Sequence, residues 1–143
     1  MTSVLFVCIH NSARSQMAEA FLNRHGAGRF VAESAGIEPG KLNPVVVAAM
    51  QEKGIDISGN ATKSVAGMLA ARRSFDYVIT VCDETSAERC PVFPGRTRRL
   101  HWGFPDPSAF SGTPEDKLAF TRTVRDSIEG KVREWLAAGA DAG

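Results

Sequence analysis

Five residues in this chain have the types and spacing to do chemistry: Cys8, Arg14, Cys82, Cys90 and Asp106. Cys8 closes an apolar run, Val4-Leu5-Phe6-Val7. Arg14 follows after five intervening residues, beside Ser15 and the helical pattern QMAEAFLNRH. A loop between a strand end and a helix start can turn successive backbone N–H groups inward as an anion nest. Arg14 offers a planar fork for two oxygens of a tetrahedral oxyanion. The same amides, the helix N-terminus and the guanidinium favour the thiolate of Cys8, which is the nucleophilic form. The hydroxyls of Ser12 and Ser15 can add hydrogen bonds to that sulfur, and Asn11 is the loop residue best able to take a left-handed backbone. The chemistry is therefore a nucleophilic sulfur meeting a bound oxyanion, as in a small redox enzyme or a phosphatase. The blander alternative is a non-enzymatic fold whose thiols are simply buried. A Walker loop is excluded because no Gly-Lys-Ser/Thr is present, and no Cys-x-x-Cys dithiol occurs.

Elements that would position these residues can be read along the chain. Ser3 to Val7 is a continuous apolar strand of the kind buried on both faces of a parallel sheet. Arg14 to His25 carries an apolar stripe and stops at Gly26. Phe30 to Ser34 reads as a second strand, and Ile37 to Leu42 as a loop. Asn43-Pro44 opens a helix that runs to Gly54. Val65 to Ala70 is a short helix, Asp76 to Val81 a strand ending at Cys82, and DETSAER a loop or short helical turn. Arg98 to Trp102 is the last strand. Gly103 to Thr113 is loop and contains Asp106. Thr113-Pro114-Glu115 starts a long amphipathic helix, weakly interrupted by Gly130, and Ala137 to Gly143 should fray. Strands alternating with helices predict an α/β layer architecture, a mainly parallel sheet with helices on both faces. In such sheets ligands bind at the carboxyl ends of the strands, which would bring Cys8, Cys82 and Asp106 to one edge.

Bulk properties narrow the field. The 143 residues suit one domain, with 43% hydrophobic and 23% charged residues. A net charge of +1 provides no global field for nucleic acid or an anionic membrane, so attraction for an anion must be local. No apolar run approaches the ~20 residues of a membrane span. The N-terminus enters a strand without a basic-then-apolar leader, which makes the cytoplasm the expected compartment, and the balanced composition suits a monomer. Three cysteines, an odd number, argue for reactive thiols or metal ligands over a structural disulfide framework. Zinc held by the three cysteines with His10 or His101 is disfavoured, because the paired short-loop spacing is missing.

The stretch CIHNSARSQMAEA resembles the phosphate-binding loop of the low-molecular-weight protein tyrosine phosphatase superfamily, and more closely that of the arsenate reductases sharing its fold. The likeness continues through ESAGIEPG, NPVVVAAM, GIDISG, VITVCDE, CP and HWGFPDPS, nearly the whole chain. It implies a single three-layer α/β/α domain over residues 1–143, with a four-stranded parallel, flavodoxin-like sheet. It implies that Cys8 is the nucleophile, Arg14 the oxyanion clamp, Ser15 a stabiliser of the thiolate and Asp106 the general acid. Ile9, His10, Asn11, Ser12, Ala13 and Arg14 would bind the anion, mainly through the backbone. Without the upstream loop, Asp106-Pro107 would read as an ordinary turn. His101 reads as a hydrogen-bonded structural histidine, and the side chain of His10 is expected to point outward.

A phosphatase needs no thiol beyond Cys8. A reductase must supply two electrons, and the resemblance implies a relay of three cysteines for them. Cys82 attacks Cys8 and expels arsenite, then Cys90 attacks Cys82 and carries the disulfide to the surface for a reductant. Alternatively Cys82 and Cys90 are idle buried thiols. Gln16 stands where phosphatases carry proline, and Asp106-Pro107-Ser108 lacks their tyrosine. Against this, Trp102, Phe104 and Phe110 could wall a phosphotyrosine pocket. The expected function is thus arsenate reduction and detoxification with no bound cofactor and thioredoxin as electron donor, glutaredoxin or a small thiol being the other donors. The alternative is hydrolysis of phosphate monoesters through a Cys8 phosphocysteine. Some relatives hold potassium beside the loop. Asn11, Glu19 and Ser34 match that arrangement, but its aspartate is replaced within Asn60 to Ser64, and Glu19 can equally be a loop-bracing carboxylate.

Overall fold

Val4 to Val7 is wholly buried, which needs apolar side chains on both faces of one strand. A computed structural model, which describes residues 1–139, places this segment at the centre of a four-stranded sheet. Its strands are β1 (Thr2–Cys8), β2 (Phe30–Gly36), β3 (Tyr77–Thr80) and β4 (Arg98–His101). The spatial order is β2-β1-β3-β4, and all pairs are parallel. Cys8 pairs with Gly36, and Val7 with Thr80, so β1 and its neighbours end together.

Side chains alternate across β1 and define two cores. Val4, Phe6 and Cys8 face one layer, which holds α1 (Arg14–His25) and α5 (Pro114–Ala137). Helix α2 (Pro44–Gln51) joins that layer through Val46 and Met50, and Glu52 beyond its end pairs with Arg122 and Arg125 of α5. Leu5 and Val7 face the other layer with α3 (Val65–Ala70), Phe75 and Phe93. The expected three-layer α/β/α architecture is the one observed.

Local chemistry sets the helix ends. Asn43 accepts from Val45 N ahead of Pro44, and Thr113 with Asp116 forms a capping box ahead of α5. Gly130 does not interrupt α5, which runs unbroken from Pro114 to Ala137. The expected helix to Gly54 ends instead at Gln51, and the following residues turn to the positive φ of Gly54. DETSAER contains a one-turn helix, α4 (Glu84–Ala87), opened by Asp83 accepting from Ser86 N. The expected loop around Asp106 contains a short 3-10 turn, Pro107–Ala109, capped by Asp106. Of the segment expected to fray, Ala137 still lies in α5, and residues beyond Gly139 lie outside the described residues.

Candidate active site

The order β2-β1-β3 reverses direction between β1 and β3, the place where open parallel sheets leave a crevice. Cys8 lies at the end of β1, and Cys82 two residues beyond the end of β3. The loop from Ile9 to Ala13 joins β1 to the N-terminus of α1.

Every carbonyl of that loop has a donor. Cys8 O accepts from Ile37 N, Ile9 O from Glu38 N, His10 O from Gly40 N and Ser12 O from Asn43 N, at 2.7–3.1 Å. Asn11 O accepts from Gln16 Nε2, and Ala13 O from Met17 N. With the carbonyls held outward, the amides are left to the inner side. Ala13 occupies the N-cap of α1 and gives no side-chain cap, so the first helix N–H groups keep their hydrogen-bonding capacity and partial positive charge. Asn11 takes the left-handed conformation, φ 54°, as its residue type anticipates. The ring of His10 is exposed and turned out, with Nδ1 2.8 Å from Glu38 O.

Gly36 is the support that sequence reasoning passed over as a strand end. A Cβ there would lie 2.7 Å from Ile9 O and 2.8 Å from Asn11 N. A glycine closing a buried strand is the available signal, since it marks close backbone approach. Gly36→Ala must therefore push the loop outward. Titration calorimetry should find phosphate bound at least ~10-fold more weakly, with ~1–3 kcal/mol of stability lost to overpacking.

The sulfur of Cys8 is 2.9 Å from Ser15 Oγ and accepts from Asn11 N at 3.2 Å. Ser12 does not serve the sulfur as expected; its contribution is the carbonyl that holds Asn43. The direction of the Ser15 hydroxyl follows from its neighbours. Lys63 N can only donate, and it donates to Asn11 Oδ1 at 2.9 Å. Asn11 Nδ2 must then be the group that donates to Ser15 Oγ at 2.8 Å, which directs the Ser15 hydrogen toward Cys8. Gln16, fully buried, ties the loop to the 60–63 segment through Ala61 O and Asn60 Nδ2.

Arg14 is 5% exposed, which makes its guanidinium a fixed feature of the site. Nη1 donates to Phe104 O at 3.0 Å, and Nη2 lies 3.7 Å from Asp106 Oδ2. Its buried Nε has no partner among the described residues. Asp106 has two functions, one per oxygen: Oδ1 accepts from Ser108 N at 2.9 Å and Oδ2 faces Arg14. The aromatic walls expected for a phosphotyrosine pocket are largely not there. Trp102 is buried against Phe6 and Trp135, and Phe110 stacks on Phe120. His101 bonds Thr80 Oγ1 through Nδ1 at 2.7 Å.

All three cysteines are free and buried. Cys8 and Cys82 share the core layer of α1 and α5, whereas Cys90 packs on the opposite face of the sheet. Burial pushes the Cys82 thiol up from its ordinary 9.0 to about 11, opposed by Arg14 and reinforced by Cys8. Cys90 is also raised by burial, against the pull of Arg99. Arg99 Nη2 donates to Ala87 O and Cys90 O at 2.8 and 2.9 Å, binding the turn that carries Cys90 to β4.

The residues matching a potassium arrangement do not fit that ion. Asn11 Oδ1 already accepts from Lys63 N and Gln16 Nε2, and Ser34 Oγ donates to Glu19 Oε1 at 3.0 Å. The Lys63 ammonium stands 3.7 Å from the same carboxylate oxygen. Among the described residues, no three His, Cys, Asp or Glu side chains converge as a metal site.

A thiol at a strand end, an uncapped helix N-terminus and a buried arginine surround one loop on a parallel α/β sheet. The sequence profile described as low molecular weight phosphotyrosine protein phosphatase matches residues 3–141, and the chain belongs to that family. It is 40% identical over 136 residues to a protein named arsenate reductase from Bacillus subtilis (strain 168), covering 95% of this chain and 96% of the relative. A solved structure described as an arsenate reductase in the phosphate binding state superposes with a TM-score of 0.76 at 32% identity, covering 96% and 98% of the two chains. A thioredoxin-dependent arsenate reductase of Corynebacterium glutamicum superposes with a TM-score of 0.71 at 27% identity, over 96% of this chain and 61% of that one.

Proposed function

We propose that this chain is an arsenate reductase, acting as one domain, in which Cys8, Cys82 and Cys90 pass two electrons to a bound arsenate. The observation that carries this reading is Cys82, a buried thiol at the neighbouring strand end, in the same core layer as Cys8 and electrostatically coupled to it and to Arg14. Phosphate ester hydrolysis has no use for that thiol.

The steps balance as follows. The amides of Ile9 to Ala13 and the fork of Arg14 hold the anion, and the Cys8 thiolate attacks arsenic. One arsenic oxygen departs as water with a proton from Asp106. Cys82 attacks the Cys8 sulfur; the S–As electron pair stays on arsenic, arsenite leaves, and a Cys8–Cys82 disulfide remains. Cys90 then attacks Cys82 and releases the Cys8 thiolate. A dithiol of the thioredoxin class reduces Cys82–Cys90. The C. glutamicum relative named thioredoxin-dependent supports that choice of donor. Such a relay belongs in a reducing compartment, the cytoplasm. No helix among the described residues is long and apolar enough to cross a membrane.

Because Cys90 sits on the other face of the sheet, forming the second disulfide requires its turn to leave β4. Arg99 opposes this with two backbone hydrogen bonds, each worth about 1 kcal/mol, beside a cleft of about 550 Å³ lined by Thr80, Ala87 and His101. Arg99→Met should therefore raise the alkylation rate of Cys90 ~10-fold in peptide-resolved mass spectrometry. The gain in opening exceeds the lost pull of Arg99 on the thiol, since burial dominates there.

The deciding experiment mixes reduced protein with arsenate and no reductant. One equivalent of arsenite and a Cys82–Cys90 disulfide, mapped by mass spectrometry, are expected. Fast hydrolysis of aryl phosphate with no arsenite would make the chain a phosphatase instead.

A further inference from the structure

We infer that the Lys63 side chain is a built-in cation, standing where a free monovalent ion would otherwise neutralise Glu19, and that it positions the loop around Cys8. The inference rests on the oxyanion loop of the proposed function, but not on which reaction that loop performs.

Glu19 lies on α1 with its side chain 15% exposed, a poor place for an uncompensated carboxylate. The Ser34 hydroxyl at 3.0 Å and the Lys63 ammonium at 3.7 Å face it, the Ser34 backbone also favours its charge, and Glu33 opposes it. Lys63 is 35% exposed at the side chain, so it reaches inward from a loop whose own backbone is occupied elsewhere. Its N–H donates to Asn11 Oδ1, and its carbonyl accepts from Gly36 N at 2.8 Å. One residue thus ties three parts of the site together: α1 through its ammonium, β2 through its carbonyl and the anion loop through its amide. The last of these decides the orientation of Asn11, hence of Ser15, hence the hydrogen bond to the Cys8 sulfur. A soluble ion could neutralise Glu19 equally well, but would not be covalently joined to the amide that orients Asn11. Tethering makes charge compensation and loop geometry a single event, independent of salt.

The experiment compares wild type, Lys63→Ala and Lys63→Arg in potassium chloride and in tetramethylammonium chloride at equal ionic strength. Its readouts are the melting temperature, the Kd for inorganic phosphate and the rate of Cys8 alkylation at pH 7. Wild type should be indifferent to which salt is present. In tetramethylammonium, Lys63→Ala should bind phosphate and alkylate at Cys8 ~10-fold more weakly and slowly. Potassium should restore both, since the oxygens of Glu19 and Ser34 are then open to it. Lys63→Arg, which keeps the charge, should remain near wild type, and the restoration of Lys63→Ala by potassium is the outcome that a merely space-filling role would not explain. A potassium response in wild type, or a Lys63→Ala protein that behaves as wild type or is not restored by potassium, would overturn the inference. The single-turnover arsenite assay uses wild type alone, so failure of the Lys63 comparison leaves that reading separately testable.

Discussion

Cys82→Ser should release no arsenite while still binding phosphate and hydrolysing a small aryl phosphate. A serine oxygen cannot form the disulfide whose formation leaves the S–As electron pair on arsenic, so the protein stops with arsenate bonded to Cys8. Turnover should fall by at least ~10³-fold, the scale on which loss of a chemically essential group is read. Mass spectrometry of the quenched mixture should show no disulfide. If Cys82→Ser retains thiol-dependent turnover, the relay is wrong.

The same thiol predicts a pH signature. Burial holds Cys82 at about 11, above its ordinary 9.0. In the unfolded chain the thiol ionises first, so the stability it contributes is intact below pH 9 and is lost as pH rises from 9 through 11. Denaturation midpoints of wild type should therefore fall more steeply over that window than those of Cys82→Ser. The attack itself should quicken about tenfold per pH unit between 7 and 9 in single turnover, following the thiolate fraction. A flat profile would mean that a step other than Cys82 attack limits the rate.

Arg14→Lys should lower kcat/KM for any oxyanion by ~10²–10³-fold, the range for removing a preorganised donor aimed at developing charge. Lysine keeps the charge but loses the planar fork. It also loses the geometry that lets Nη1 hold Phe104 O while Nη2 stands opposite Asp106. Two effects should appear together in calorimetry and kinetics: weaker phosphate binding, and a smaller benefit from Asp106, whose chain segment is no longer anchored at Phe104. A lysine variant within ~3-fold of wild type would show that point charge alone suffices.

Much of this arrangement was readable from the sequence because it depends on local pattern. The unbroken apolar run of β1 could only be a strand buried on two faces, and Gly26, Asn43-Pro44 and Thr113-Pro114 mark helix boundaries by chemistry confined to a few residues. Alternation of strands and helices then determined the parallel sheet, and with it the edge where Cys8, Cys82 and Asp106 gather. Asn11 was legible as the left-handed residue of the loop for the same reason.

Tertiary structure decided what depends on partners distant in sequence. Gly36 looks like an ordinary strand end until Ile9 and Asn11 close over it. Lys63 reads as a charge in a polar loop until it meets Glu19, 44 positions earlier by their numbers. Trp102 reads as a pocket wall until the sheet turns it into the core. Cys82 and Cys90 look like neighbours in the chain, yet the sheet passes between them, because the chain enters β4 only after crossing to its other face. Sequence alone determined that a thiol and an arginine-bearing loop meet at a helix N-terminus. Which groups orient that thiol, and what must move before a third cysteine can reach the second, was decided by packing, where distance along the chain no longer measures distance in space.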